Sequence, residues 1–200
     1  MRRGFTIVEV LVCCGIFAAV TLVLAGIYGS SLGILETAGG KMMLEQSERE
    51  TIRRINSIVA CAMPPDPTRD AIVSPALNSA AAPAVDFYTI DDPLALPVTF
   101  DPRATSTTFY YSRIAFEKGP DGRTFVRLRR LNSSGNPVSV PSPRILAHGL
   151  TALTFTRLDR GTLKVHVDGS VTVRNARLQA RTITASMDTI VQAVFYLTPQ

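Results

Sequence analysis

Glu9 is the one charge between Phe5 and Leu35, and the 26 residues from Val10 to Leu35 carry none. A carboxylate in an apolar helix costs about 2.5–3.5 kcal/mol at the centre of a bilayer and less near its surface, so it is expected to have a partner, the plainer alternative being that it lies at the headgroup level and needs none. Arg2, Arg3 and Gly4 stand ahead of it, followed by Phe5. Elsewhere no set of residues has the spacing of a catalytic centre. There is no Gly-x-Ser-x-Gly, no phosphate-binding glycine loop, no His-Glu-x-x-His and no paired nucleophile and base. The three cysteines form no Cys-x-x-Cys pair and the two histidines, His148 and His166, lie 18 residues apart, which argues against structural zinc. Cys61 reads as a small buried apolar residue, His148 as a loop or packing residue and His166 as a surface residue on a strand. Asp66, Asp70, Asp91, Asp92 and Asp101 are loop carboxylates that match no EF-hand spacing and read as solvated surface. The chain is expected to be no enzyme, with no catalytic residue, no bound metal and no cofactor.

The element that must position Glu9 is a helix. At 1.5 Å per residue, the uncharged run spans roughly 39 Å, against a bilayer core of about 30 Å. Arg2 and Arg3 place its N-terminal end in the cytoplasm and the remainder of the chain outside it. The run is too long for a cleaved secretory signal, whose apolar region is about 7–15 residues. Val12 and Cys13 precede the two candidate lipidation cysteines, where a lipoprotein signal needs small residues. A plain single-pass anchor explains the length and the arginines but leaves Glu9 unexplained. Gly15, Ala18 and Ala19, and the Gly29–Gly33 step, permit close helix contact. Gly26, Gly29, Gly33, Gly39 and Gly40 also weaken the helix by roughly 1 kcal/mol each relative to Ala.

The string Arg3-Gly4-Phe5-Thr6-Ile7-Val8-Glu9-Val10-Leu11 resembles the type IV prepilin signature: a basic leader ending in Gly, then Phe-Thr, two hydrophobic residues, Glu and a long apolar helix. The match covers residues 1 to about 35. The resemblance implies cleavage between Gly4 and Phe5 by prepilin peptidase, N-methylation of Phe5 by the same enzyme, and assembly with other pilin or pseudopilin subunits. Gly4 presents no side chain to obstruct a peptidase cleft. Cleavage removes Arg2 and Arg3, which hold that end in the cytoplasm. In a filament, Glu9 of one subunit can pair with the Phe5 amine of a neighbour, each neutralising a charge that is costly to bury alone. The apolar helices then supply most of the cohesion.

Beyond the membrane, Leu44, Ile52, Ile55, Val59 and Met63 form an apolar stripe, Glu50 and Arg54 form an i, i+4 pair, and Pro64-Pro65 ends the helix. The division expected is therefore a leader at 1–4, a membrane and assembly helix at 5–35, its amphipathic continuation at 36–63, and a β-rich extracytoplasmic domain at 64–200. Residues 64–83 read as loop. Val85 to Ile90 reads as a strand, and Thr107–Glu117 with Arg123–Leu131 reads as a hairpin around Lys118-Gly119-Pro120-Asp121-Gly122. Arg144–Leu158, Leu163–Val167 and Val171–Val173 continue the strand pattern, with Asp168-Gly169 as a tight turn, and Thr182–Leu197 supplies a strand or two. The fold class expected is α+β and pilin-like: one long N-terminal helix packed on an antiparallel sheet. Arg144 to Phe155 loosely resembles a segment of larger minor pilins and pseudopilins of the W and J types.

Arg123, Arg127 and Arg129 alternate along one strand, with Phe125 among them and Tyr110, Tyr111 and Arg113 on the hairpin partner. Such a face can hold single-stranded or extracellular nucleic acid, while a solvated sheet face is the plainer reading. The formal net charge is +5, and two of those charges are the leader arginines. The functional expectation is a structural minor subunit of a type IV pilus or type II secretion pseudopilus in the bacterial inner membrane. The alternatives are a filament-borne module that binds DNA or a surface, and an uncleaved single-pass protein.

Overall fold

No proline stands between Phe5 and Met63, so the helical ladder is short of no donor along that stretch. The computed structural model describes residues 6–66, 68–90, 92–94, 109–174 and 180–193. Its first element, α1, spans Ile7–Val59 and stays helical through the glycines. It stops at Val59 rather than Met63. Cys61 and Ala62 donate to the carbonyls of Ile58 and Val59 at 3.2 and 2.9 Å, tightening the last turn. Ala62 then bridges to Thr89, and the Met63 amide donates to Tyr88 O at 2.9 Å. Backbone pairing with the sheet therefore takes over before Pro64 is reached.

Eight strands follow: β1 Ile72–Ser74, β2 Ala84–Thr89, β3 Tyr110–Lys118, β4 Thr124–Arg130, β5 Arg144–His148, β6 Leu150–Arg157, β7 Thr162–Arg174 and β8 Ala180–Gln192. They form a five-stranded sheet in the order β1-β2-β3-β4-β5 and a three-stranded sheet in the order β6-β7-β8. With α1, this is an α+β layout of one long N-terminal helix and antiparallel sheets. The β3–β4 hairpin is the one its turn chemistry predicts, in a register that pairs Lys118 with Thr124.

Three strand expectations are corrected: residues 64–83, read as loop, hold β1 at Ile72–Ser74. The run from Arg144 to Leu158 divides at Gly149, whose φ of 79° suits glycine, and its halves join different sheets. Asp168-Gly169 is not a turn but lies inside β7, where a bulge opposes Leu150 and Ala152 to Gly169 and Asp168. Gly169 is there for close approach: a Cβ would stand 2.5 Å from Leu44 Cδ1 and 2.7 Å from Glu48 Oε1.

The chain divides into two compact units, Met1–Met42 with Val171–Ile183, and Met43–Ser170 with Thr184–Gln200. In the second unit, Ile55, Ile58 and Val59 of α1 pack with Phe87, Ile114, Leu128, Phe155 and Val165 in one core. Each such side chain contributes about 1.5–3 kcal/mol by leaving water. The buried face of the helix is Leu44, Glu48, Thr51, Ile55, Ile58 and Val59. Ile52 is half-buried against that core and Met63 is half-buried, and the buried face adds Glu48, Thr51 and Ile58 to the expected stripe. In the first unit, Gly40 of α1 lies against Val173 of β7 and Ile183 of β8.

Candidate functional site

Glu9 sits in the first turn of α1, with its side chain exposed. Its Oε2 accepts hydrogen bonds from the Thr6 amide and the Thr6 hydroxyl, each at 2.9 Å, and its own amide donates back to Thr6 Oγ1 at 3.3 Å. This is a reciprocal capping box, which satisfies donors that every helix N-terminus leaves open. The sequence carries its signature, Thr-x-x-Glu ahead of an apolar run, and Thr6 is the participant that motif reading for cleavage passes over. Arg2, Arg3, Gly4 and Phe5 lie outside the described residues.

From Glu9 the helix is long and apolar enough to cross a membrane, and none of that stretch is buried. Phe17 is 75% exposed and Leu22 74%, so the apolar surface meets no protein here. Its hydroxyls are matched internally: Thr21 donates to Phe17 O, Ser30 to Gly26 O and Ser31 to Ile27 O, at 2.8–2.9 Å. Gly15, Gly26, Gly29 and Gly33 face open space, leaving room for an approaching helix. Cys13 and Cys14 are exposed free thiols.

Each arginine of the β3–β4 hairpin has a carboxylate partner. Glu117 receives Arg127 at 3.0 Å and Arg129 at 2.6 Å, and Asp86 holds Arg113 by two bonds of 2.6 and 2.8 Å. Arg130 pairs with Asp92, and the exposed Arg123 pairs with Asp121. Arg127 also lies over the Phe125 ring at 4.7 Å and Arg130 over Tyr110 at 4.6 Å, while Tyr111 stacks on Tyr88. The alternation of basic residues is as read, and each of the five arginines has a carboxylate partner, with Glu117 serving two of them, so the face keeps an excess of one positive charge over these pairs.

The loop carboxylates also have partners. Asp66 accepts from the Thr68 amide and hydroxyl, which hold its carboxyl below the usual range. Asp70 pairs with Arg157 at 2.6 Å and Arg160 at 3.7 Å. Asp91 and Asp101 lie outside the described residues. Among the described residues no three metal-ligating side chains converge. Cys61 is half-exposed rather than buried, and its thiol donates to Ser57 O at 3.3 Å. His148 is exposed at the end of β5. His166 on β7 is half-exposed, with Nδ1 2.7 Å from Asp188 and Nε2 3.1 Å from Asp168. Only an imidazolium can donate to both, and the Asp188 bond, then the Asp168 charge, raise its pKa against partial burial.

One buried carboxylate went unread in the sequence because its neighbours there are charged. Glu48 is fully buried, and neither oxygen has a hydrogen bond of normal geometry, the Gly169 amide being its nearest donor. Burial first, then the charges of Asp168 and Glu45, push its carboxyl up, against smaller opposing effects from the Gly169 amide and His166. No family model matches the chain, and neither does a curated protein or a solved structure.

Proposed function

We propose that this chain is a structural minor subunit of a type IV pilus or type II secretion pseudopilus. In this reading prepilin peptidase cuts between Gly4 and Phe5 and methylates the new Phe5 amine, and the subunit then assembles with other pilin or pseudopilin chains. It is anchored first in the bacterial inner membrane, with its N-terminus cytoplasmic and its β-rich part periplasmic. The carrying observation is an apolar helix with no protein cover, opened by Glu9 five residues after Gly4. Such a surface requires a bilayer or neighbouring helices, and open space at the helix glycines suits the latter. The larger minor type is supported by the loose likeness at Arg144–Phe155, and a place at the tip or in priming assembly follows from that likeness.

Intact-mass analysis of the chain from cells with active prepilin peptidase tests this. Loss of Met1–Gly4 with one methyl group on Phe5 is the expected result. A chain that keeps Arg2 and Arg3 overturns it. That second outcome belongs to an uncleaved single-pass protein, a reading favoured by the Thr6–Glu9 box, which accounts for Glu9 without any other subunit. The filament-borne DNA-binding alternative is disfavoured by the paired arginines.

A further inference from the structure

The apolar run ends at Leu35, and a cleft of about 480 Å³ opens beside that point. Its volume falls in the roughly 300–1,000 Å³ range of small-ligand pockets. One wall is α1, where Ser30, Ile34, Thr37 and Lys41 share a helical face with Glu36 beside them; the other holds Val173 of β7 and Arg181 of β8. All belong to the first compact unit. If the membrane exit is at Leu35, Ser30 lies roughly 7.5 Å inside the hydrocarbon and Lys41 roughly 9 Å beyond it. The headgroup layer of one leaflet is roughly 5–8 Å thick, so the cleft straddles that layer.

Its chemistry has two signs. Lys41 and Arg181 bring positive charge, and Arg181 is exposed with no ion pair among the described residues. Glu36 brings a half-buried carboxylate to the wall; its Oε2 is enclosed with no hydrogen-bond partner, and rotation about the soft terminal torsion turns that oxygen toward the cleft. Buried acceptors without donors are uncommon and costly, so this oxygen is suited to a donor supplied from outside the chain. The hydroxyls of Ser30 and Thr37 donate to Gly26 O and Gly33 O, so the outside donor must come from the ligand. A simple anion would meet the cations but be repelled by Glu36. A ligand with a phosphate and an adjacent ammonium satisfies both, and Ile34 and Val173 offer apolar surface to what is attached to it.

We propose that this cleft binds the headgroup of a bilayer aminophospholipid, a phosphate ester bearing a primary ammonium. The assignment rests on the membrane reading of the preceding run. Arg181 and Lys41 receive the phosphate, and Glu36 Oε2 accepts an N–H from the ammonium. Phosphatidylcholine, whose quaternary nitrogen has no N–H to donate, and phosphatidylglycerol, which has no cation, each lack one half of the match.

The full chain is reconstituted into vesicles of equimolar phosphatidylethanolamine, phosphatidylcholine and phosphatidylglycerol, floated, then extracted in mild detergent, and its retained lipids are counted by native mass spectrometry. Retention of phosphatidylethanolamine about tenfold over phosphatidylcholine is expected, the worth of one charge-assisted hydrogen bond. Glu36→Gln should abolish that preference while retention of phospholipid persists, and Arg181→Ala should lower retention of all three. Soluble O-phosphoethanolamine should displace the lipid better than inorganic phosphate. Equal retention of the first two lipids, or a preference untouched by Glu36→Gln, overturns the assignment. Equal displacement by inorganic phosphate overturns the ammonium half and leaves a plain phosphate site. A chain that floats with no vesicles overturns the membrane reading and the cleft with it, whereas flotation without headgroup preference overturns the cleft alone.

Discussion

At the scale of single residues, Glu9 has two claims upon it. Its carboxylate closes a capping box with Thr6, and under the proposed function it would pair with the freed amine of a neighbouring subunit. The two roles separate by substitution, because Thr6→Ala removes the hydroxyl half of the cap and leaves the charge. Loss of an N-cap threonine costs about 1 kcal/mol and frays one turn. Glu9→Val removes the charge and the two bonds to its carboxylate, and leaves the residue-9 amide free to donate to Thr6 Oγ1. Cells carrying Glu9→Val should accumulate a cleaved subunit in the membrane with little in sheared filaments, while Thr6→Ala should reach the filament at near-normal amounts, both read by immunoblot. Equal loss in the two variants would assign the effect of Glu9 to the cap rather than to its charge. Thr6 itself was legible, since Thr-x-x-Glu before an apolar run is a local signal. Glu48 was not: its neighbours Glu45, Arg49 and Glu50 read as a solvated face, and only the approach of β7 buries it.

At the scale of elements, sequence reading succeeded where local chemistry decides and failed where packing does. The long helix needed only the absence of proline and a run of apolar residues, and the β3–β4 hairpin needed only Lys-Gly-Pro-Asp-Gly. Asp168-Gly169 has the same local look of a turn, yet β7 runs straight through it. What requires glycine there is Leu44 and Glu48, more than a hundred residues away in the chain. Gly169→Ala therefore tests whether helix docking, rather than strand propensity, sets this position. Overpacking of this kind typically costs about 1–3 kcal/mol, and the denaturation midpoint of the full chain in detergent should fall accordingly. Leu44→Ala removes the nearer clash at 2.5 Å, so the double variant should be less destabilised than the two single costs added together. Strict additivity would mean that the strand, not the helix, resists the new methyl group.

At the scale of the whole molecule, proton linkage shows how these parts share one stability. Asp188 is held below its ordinary value of 3.8, first by its hydrogen bond with His166 and then by Lys164. The stability it contributes is present above that value and is lost as pH falls through its folded pKa. Glu48 and His166 have the opposite sign. Both are raised, Glu48 from 4.5 by burial and His166 from 6.5 by its bond to Asp188. What each adds is complete below its ordinary value and fades as pH rises through the folded one. Stability should thus decline on the acid side through Asp188 and on the neutral-to-alkaline side through Glu48 and His166. Glu48 is the steeper risk, because its ionised form would lie fully buried facing Asp168, with no hydrogen bond of normal geometry to either oxygen. Glu48→Leu removes the ionisable group and the two unsatisfied oxygens while keeping most of the volume. It should raise stability at pH 8 by roughly 1–3 kcal/mol, the usual cost of such a buried group, and should do so least near pH 4.5, where Glu48 is already neutral. His166→Gln, which leaves Glu48 in place, should preserve the Glu48 part of the alkaline decline. Denaturation midpoints for the three chains between pH 4 and 9 would decide it: an unchanged slope in Glu48→Leu means that the helix is released from β7 before Glu48 ionises.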